Sequence, residues 1–270
     1  MITVFDKPVS TEVDTLNEFV KSVLGSGVSR NGFYRGKNLG TLTAANIDAF
    51  CETHKTATGE FDDLFLGDYF TIQDGTYNKE WMIAAFDLDY GNTINGDNYM
   101  ILDHHFAIIP KGPGLIQARM HPSDDTSGGI ANAEIRDTLQ TIRGNILTVV
   151  GDHAKKICTQ LSASVDSTGK PLTYLRGRAE IRLLTQVDIF GHIFYSQPDN
   201  TSGLMYRKLP IYNFIPRGYC ENPSNNSDYW LADIYDGTDY RCMVRYGNSV
   251  GHAPASTANT VWVRPMMAIG

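Results

Sequence analysis

The sequence predicts an α+β fold, and three observations carry that prediction. Apolar residues recur with helical spacing in separate stretches near the start and in the middle of the chain. Between and after those stretches they fall in short runs bounded by Gly, Asn and Asp. The composition agrees: 25 Gly, 14 Tyr and 12 Phe among 270 residues describe a turn-rich chain with short strands. Helices, a meander, helices and a second meander is the order of an α+β chain, not of a repeating βαβ chain.

Ser10 is a good N-cap, and Val13, Leu16, Val20 and Leu24 then share one face of "TEVDTLNEFVKSVL", an amphipathic helix ending near Gly25. Its apolar stripe needs a surface, either the body of the chain or a neighbouring subunit. "SGVSRNGFYRGKNLG" reads as a Gly-rich connector, and "TAANIDAFCETHK" as a short helix capped by Thr43. "GEFDDLFLGDYFTI" is a turn leading into a strand. "KEWMIAAFDLDYG" and "NYMILDHHFAIIP" continue as a meander. Helical period returns at Ile135, Leu139, Ile142, Ile146, Val149 and Val150, with a break expected at Gly144. A loop "SVDSTGKPLTY" follows, then strands in "AEIRLLTQVDIFG" and "LPIYNF", then a hairpin of "YWLADIY" and "YRCMVRY" around "DGTD".

The chain closes on "NTVWVRPMMAIG". Alternation puts Val261 and Val263 on one face of a last strand, Trp262 and Arg264 on the other. Pro265 marks an edge or an ending. The hairpin over residues 229–246 is the expected partner, which leaves "GNSVGHAPASTAN" as a polar loop. Residues 1–59 are read as a helical N-terminal segment for attachment or assembly, and residues 60–270 as one domain.

Bulk properties exclude several functions. A net charge of -7 with singly scattered Lys and Arg leaves no footprint for nucleic acid. No apolar run approaches the ~20 residues of a membrane span, and "MITVFDKPVS" has no signal-peptide pattern, so synthesis in a cytoplasm without membrane insertion is expected. Cys51, Cys158, Cys220 and Cys242 show no CxxC spacing and are expected to pack as small apolar residues. Only Cys220 and Cys242 are near enough in sequence and context to be considered as a pair.

Chemical motifs are sparse. "DHH" (Asp103, His104, His105) suggests a metal, but neighbours in a strand point to opposite faces, so one packed and one exposed histidine is the expectation. His54, His121, His153, His192 and His252 lack HExxH spacing, and Cys51 with His54 forms a helical pair without a second pair. There is no GxSxG elbow and no phosphate-binding loop. Acids in "FDLDYG" and "SDYWLADIYDGTD" could hide a glycosidase pair. "QPDN" (Gln197 to Asn200) is similar to a calcium-dependent sugar motif, but "YWLAD" lacks the Asn-Asp it requires. No cofactor, metal or catalytic residue is assigned.

The ordered run "FYRGKNLG", "GEFDDLFLGDYFTI", "WMIAAFDLDY", "AEIRDTLQTI", "IRLLTQVDIFG", "YWLADI", "YGNSVGHAPAS" and "VWVRPMMAI" resembles bacteriophage and prophage virion proteins of gut-type Gram-positive hosts. The resemblance spans roughly residues 33–270 and implies a C-type-lectin-like, formylglycine-generating-enzyme-like domain with long loops. No catalytic residue attaches to these motifs. The enzyme relatives use a cysteine pair near their C-terminus, and the surroundings of Cys220 and Cys242 do not match it.

The resemblance implies a non-enzymatic virion component, in a head decoration, fibre or tail, that presents a loop surface for adhesion to a host or its environment. Its expected partners are other virion proteins, further copies of itself, and a host surface glycan or protein. The expected contact residues are Tyr235, Asp236, Asp239, Tyr240, Arg241, Arg245 and Asn248, where Tyr, Asn and Asp suit adaptable recognition. A carbohydrate-binding module is the alternative; a cell-wall hydrolase ranks below it.

Overall fold

The computed structural model describes residues 28–88, 90–91, 93–94, 99–123, 133–165, 171–191, 208–216, 228–234, 240–245, 249–257 and 261–270. Helices and sheets mix in an α+β arrangement. The larger sheet runs β1 (Asn38–Leu42), β2 (Tyr69–Ile72), β3 (Lys79–Phe86), β6 (Phe106–Pro110), β16 (Pro265–Ile269), β11 (Ile181–Leu183), with β8 (Ala154–Lys155) also paired to β16. A second sheet runs β14 (Ser249–Pro254), β13 (Tyr240–Arg245), β12 (Tyr229–Ile234), β15 (Trp262–Val263), β7 (Ile116–Gln117). Two hairpins stand apart, β4 (Thr93–Ile94) with β5 (Tyr99–Met100), and β9 (Ile157–Val165) with β10 (Pro171–Ala179).

The central strands explain the sequence pattern. β6 and β16 are buried along their whole length, so "FAIIP" and "PMMAI" read as continuous apolar runs without alternation. β2, β3 and β6 form the expected antiparallel meander. Helix α1 (Ile47–Thr53) buries Ile47 and Cys51, and α2 (Ile135–Val150) buries Ile135, Leu139, Ile142, Ile146, Val149 and Val150. The rings of Phe61, Phe70, Phe86 and Phe106 meet at centroid separations of 5.1–6.4 Å in tilted and edge-on pairs, which aromatic quadrupoles favour.

Several expectations are corrected. α1 starts at Ile47 after Asn46, not at a Thr43 cap; Asn46 turns its side chain back onto Thr41 O and Thr43 N. α2 runs unbroken through Gly144, since burial of the flanking Ile142 and Ile146 outweighs the ~1 kcal/mol propensity deficit of one glycine. Residues 164–165 and 171–174 of "SVDSTGKPLTY" are strand, at the ends of the paired β9 and β10, and its residues 166–170 lie outside the described residues. In "AEIRLLTQVDIFG" strand β11 gives way to helix α3 (Gln186–Phe190), started by a capping box between Thr185 and Asp188. "LPIYNF" is a 3-10 turn opened by Pro210. Part of "GNSVGHAPASTAN" is β14. The strand expected across "DHH" stops before it: β5 ends at Met100 and β6 opens at Phe106.

The end of the chain is the largest correction. β15 pairs with β12 as expected, Tyr229 opposite Trp262. Pro265 does not end the strand at an edge. It is the first residue of β16, where a missing N–H is tolerated, and β16 lies inside the larger sheet between β6 and β11. "Val-Arg-Pro" is therefore the crossing from one sheet to the other. Arg264 is fully buried there, donating to Pro110 O at 3.0 Å with its guanidinium 5.0 Å from the Tyr229 ring centroid. Burial pushes the Tyr229 phenol well above its ordinary range, with Tyr212 beside it.

No break in packing falls at residue 59. β1 pairs with β2, and Leu42, Ile47 and Cys51 belong to the same core as β3 and β16. The helix expected over residues 11–24 lies outside the described residues.

Candidate functional site

Three of the seven expected contact residues fall on a described strand. Tyr235, Asp236, Asp239 and Asn248 lie outside the described residues. Tyr240, Arg241 and Arg245 lie on β13, between β12 and β14, with Tyr240 opposite Pro254 and Arg245 opposite Ser249. The ends of that strand are five steps apart, roughly 17 Å at ~3.3 Å per residue. "QPDN" and Cys220 also lie outside the described residues, and Cys242 is placed only as a strand position opposite His252.

A cleft of about 380 Å³ is lined by α1, by the 3-10 turn Thr56–Thr58, and by His153 and Gly270. It holds Cys51, His153 and Asp48, the residue types of a thiol protease. The geometry does not fit that chemistry. Burial pushes the Cys51 thiol above its ordinary range, which disfavours the nucleophilic thiolate. His153 directs Nε2 to the Asp48 carboxylate at 2.8 Å and Nδ1 to Gly270 O at 3.1 Å. Both nitrogens face acceptors, so neither is left to take a proton from the thiol.

A second histidine is built differently. "DHH" divides as expected into a packed and a partly exposed residue: His105 is fully buried with Nδ1 on Asp103 O at 2.9 Å, and the His104 side chain keeps 27% of its exposure. His104 Nδ1 lies 3.0 Å from Asp87 Oδ2, whose own side chain is only 3% exposed. Asp87 also accepts from the His105 N–H at 3.1 Å. One face of the imidazole stacks on Tyr90, with centroids 4.3 Å apart and planes 14° apart.

The other side of His104 rests on Gly59. Gly59 has φ +72, and a Cβ there would fall 2.4 Å from His104 Nδ1, so only glycine admits the ring. Asp87 itself holds φ +48, a conformation that costs free energy away from glycine and clusters at functional positions. A carboxylate on Nδ1 fixes that nitrogen as the donor and leaves the Nε2 lone pair outward. Among the described residues, Nε2 makes no hydrogen bond.

A third exposed feature is the offset-stacked pair Tyr34 and Phe214, 46% and 44% exposed with centroids 6.0 Å apart. Tyr34 lies on Gly67, where a Cβ would fall 2.1 Å from the ring. Among the described residues no three His, Cys, Asp or Glu side chains are grouped to hold a metal ion, and no helix is long and apolar enough to cross a membrane.

Sequence reasoning singled out "DHH" and the acids of "FDLDYG" but did not join them. Asp87 and His104 are 17 residues apart and meet because β3 and β6 pair with Phe86 opposite Phe106. That register is the one signal from which the contact follows. Comparison of the chain with protein-family models, with curated proteins and with solved structures finds no match.

Proposed function

We propose that this chain is a non-enzymatic component of a bacteriophage particle, with a C-type-lectin-like body, that attaches to other virion proteins and presents a surface for adhesion. The observation that carries the reading is the use to which its motif residues are put. In "FYRGKNLG" and "LGDYF", Arg35 meets the fully buried Asp68 at 2.6 Å, and Asp68 also accepts from Lys37 N and Phe65 N. In "IRLLTQVDIFG", Arg182 and Asp188 form a buried two-pronged pair at 2.6 and 2.9 Å. In "YWLADI", Trp230 donates to Ala118 O at 2.7 Å. In "VWVRPMM", Arg264 sits at the sheet crossing.

These polar side chains are committed to the frame and are not free for turnover. A rigid frame with exposed aromatics suits recognition. Attachment through the N-terminal segment and assembly of several copies complete the proposal, as symmetric multimers are usual for such parts. Mass spectrometry of purified particles tests it: peptides of this chain are expected at structural stoichiometry, and their absence refutes the virion role. The exposed Tyr34, Phe214 and Tyr90 favour, as the second reading, a carbohydrate-binding module acting away from a particle.

A further inference from the structure

We propose that the corner formed by His104 and Tyr90 is a saccharide contact, in which a sugar ring lies on the outer face of Tyr90 and a sugar hydroxyl donates to His104 Nε2. The inference deepens the adhesion reading by naming a ligand class and a place on the surface. A sugar presents an apolar C–H face and directed hydroxyls, so its receptor needs an aromatic plane beside a fixed polar atom. Both are present. Tyr90 is 39% exposed, and its inner face is covered by the imidazole.

His104 supplies the fixed polar atom. Its ring is held by Asp87 at one nitrogen, by Tyr90 on one face and by the bare backbone of Gly59. Little side-chain freedom remains to be lost on binding, which favours affinity. With Nδ1 turned to Asp87, Nε2 points away from that carboxylate, and a sugar hydroxyl supplies its hydrogen-bond partner. The other two surface features lack this pairing. At the cleft the His153 nitrogens are both engaged, and among the described residues Tyr34 and Phe214 form a stacked pair with no fixed side-chain acceptor beside it.

Asp87 acts as a positioning residue. Its replacement by Asn would release the tautomer of His104 without removing the ring.

The test uses the full chain on an array of bacterial and host glycans, with and without chelator, followed by the His104→Ala, Tyr90→Ala and Asp87→Asn variants. Thermal melting confirms that each is folded. Binding to a subset of glycans, unaffected by chelator, is expected. A loss of at least about tenfold is expected for His104→Ala and for Tyr90→Ala, the scale of one hydrogen bond or one stacking contact removed. Asp87→Asn should weaken binding less and move the ¹⁵N shifts of His104 toward the other tautomer, and Asp48→Ala, which removes the carboxylate on His153, should leave binding unchanged. A flat array, binding abolished by chelator, or full binding by both folded alanine variants overturns the proposal. Peptides of the chain in purified particles would then leave the virion role standing without it.

Discussion

His153 and His104 lie on two sides of the same residue, and each rests on a carboxylate. Gly270 O meets His153 Nδ1 at 3.1 Å, and a Cβ on Gly270 would fall 2.0 Å from His104 O. Their second nitrogens differ. His153 spends its Nε2 on Asp48 and closes a seam between α1 and the end of β16. Among the described residues His104 Nε2 has no partner, while three neighbours fix its ring. A histidine with both nitrogens matched to acceptors is a strut; one held at Nδ1 alone is available to a ligand. The residue type and the carboxylate partner are the same in both, so only the geometry separates the roles.

The largest effect should come from removing what the two corners share. Deleting residues 261–270 takes away β15 and β16, and with β16 the interior strand that pairs with β6, β8 and β11. The truncated chain is expected to lose its cooperative thermal transition; native melting would contradict the placement of β16. Next is Asp188→Ala, which leaves buried Arg182 without its carboxylate. Breaking such a pair costs about 3–5 kcal/mol, read by chemical denaturation. Because the pair is remote from both histidines in the chain, their accessibilities should rise together with unfolding and not separately.

Gly59→Ala separates the corners. It forces a Cβ against His104 and imposes a positive φ on alanine, for a loss of about 1–3 kcal/mol. His104 should be displaced while the Asp48–His153 contact persists in the nitrogen shifts of the two rings. Alkali reaches the frame beneath both. Folding raises the Tyr229 phenol well above its ordinary value of about 10. The stabilising contribution is therefore full below pH 10 and is lost as the pH rises beyond it, because the unfolded chain can then ionise the phenol. The slope approaches about 1.4 kcal/mol per pH unit for one such group and is measurable by denaturant titration from pH 9 to 11. The smallest effect belongs to Asp48→Ala. The Asp48 side chain is 90% exposed, so stability should change by no more than about 1 kcal/mol, while His153 alone gains a free nitrogen.

What the sequence made legible follows from length and period. α2 was readable from six buried positions on one face, and β3 and β6 from uninterrupted apolar runs. The last strand was readable as core from Val261 and Val263. Its transfer between sheets was not, because Pro265 signals an edge locally and only the pairing with β6 and β11 shows a strand start in the interior. The β9–β10 hairpin was hidden by "SVDSTGK", whose turn residues dominate a strand pair rich in Ser and Thr. At the His104 corner the pieces were visible separately. The register joining Asp87 to His104, and the positive φ of Asp87 and Gly59, depend on long-range pairing that local residue preferences do not encode.

The contrast between the two histidines is tested most directly by carbethoxylation of the folded chain with diethyl pyrocarbonate, followed by peptide mass mapping over time. The reagent attacks an unprotonated imidazole nitrogen that solvent can reach. His104 should be modified much faster than His153, and a bound saccharide should protect it. Equal rates, or a His104 that stays unmodified while His153 reacts, would contradict the assignment of one histidine as strut and the other as contact.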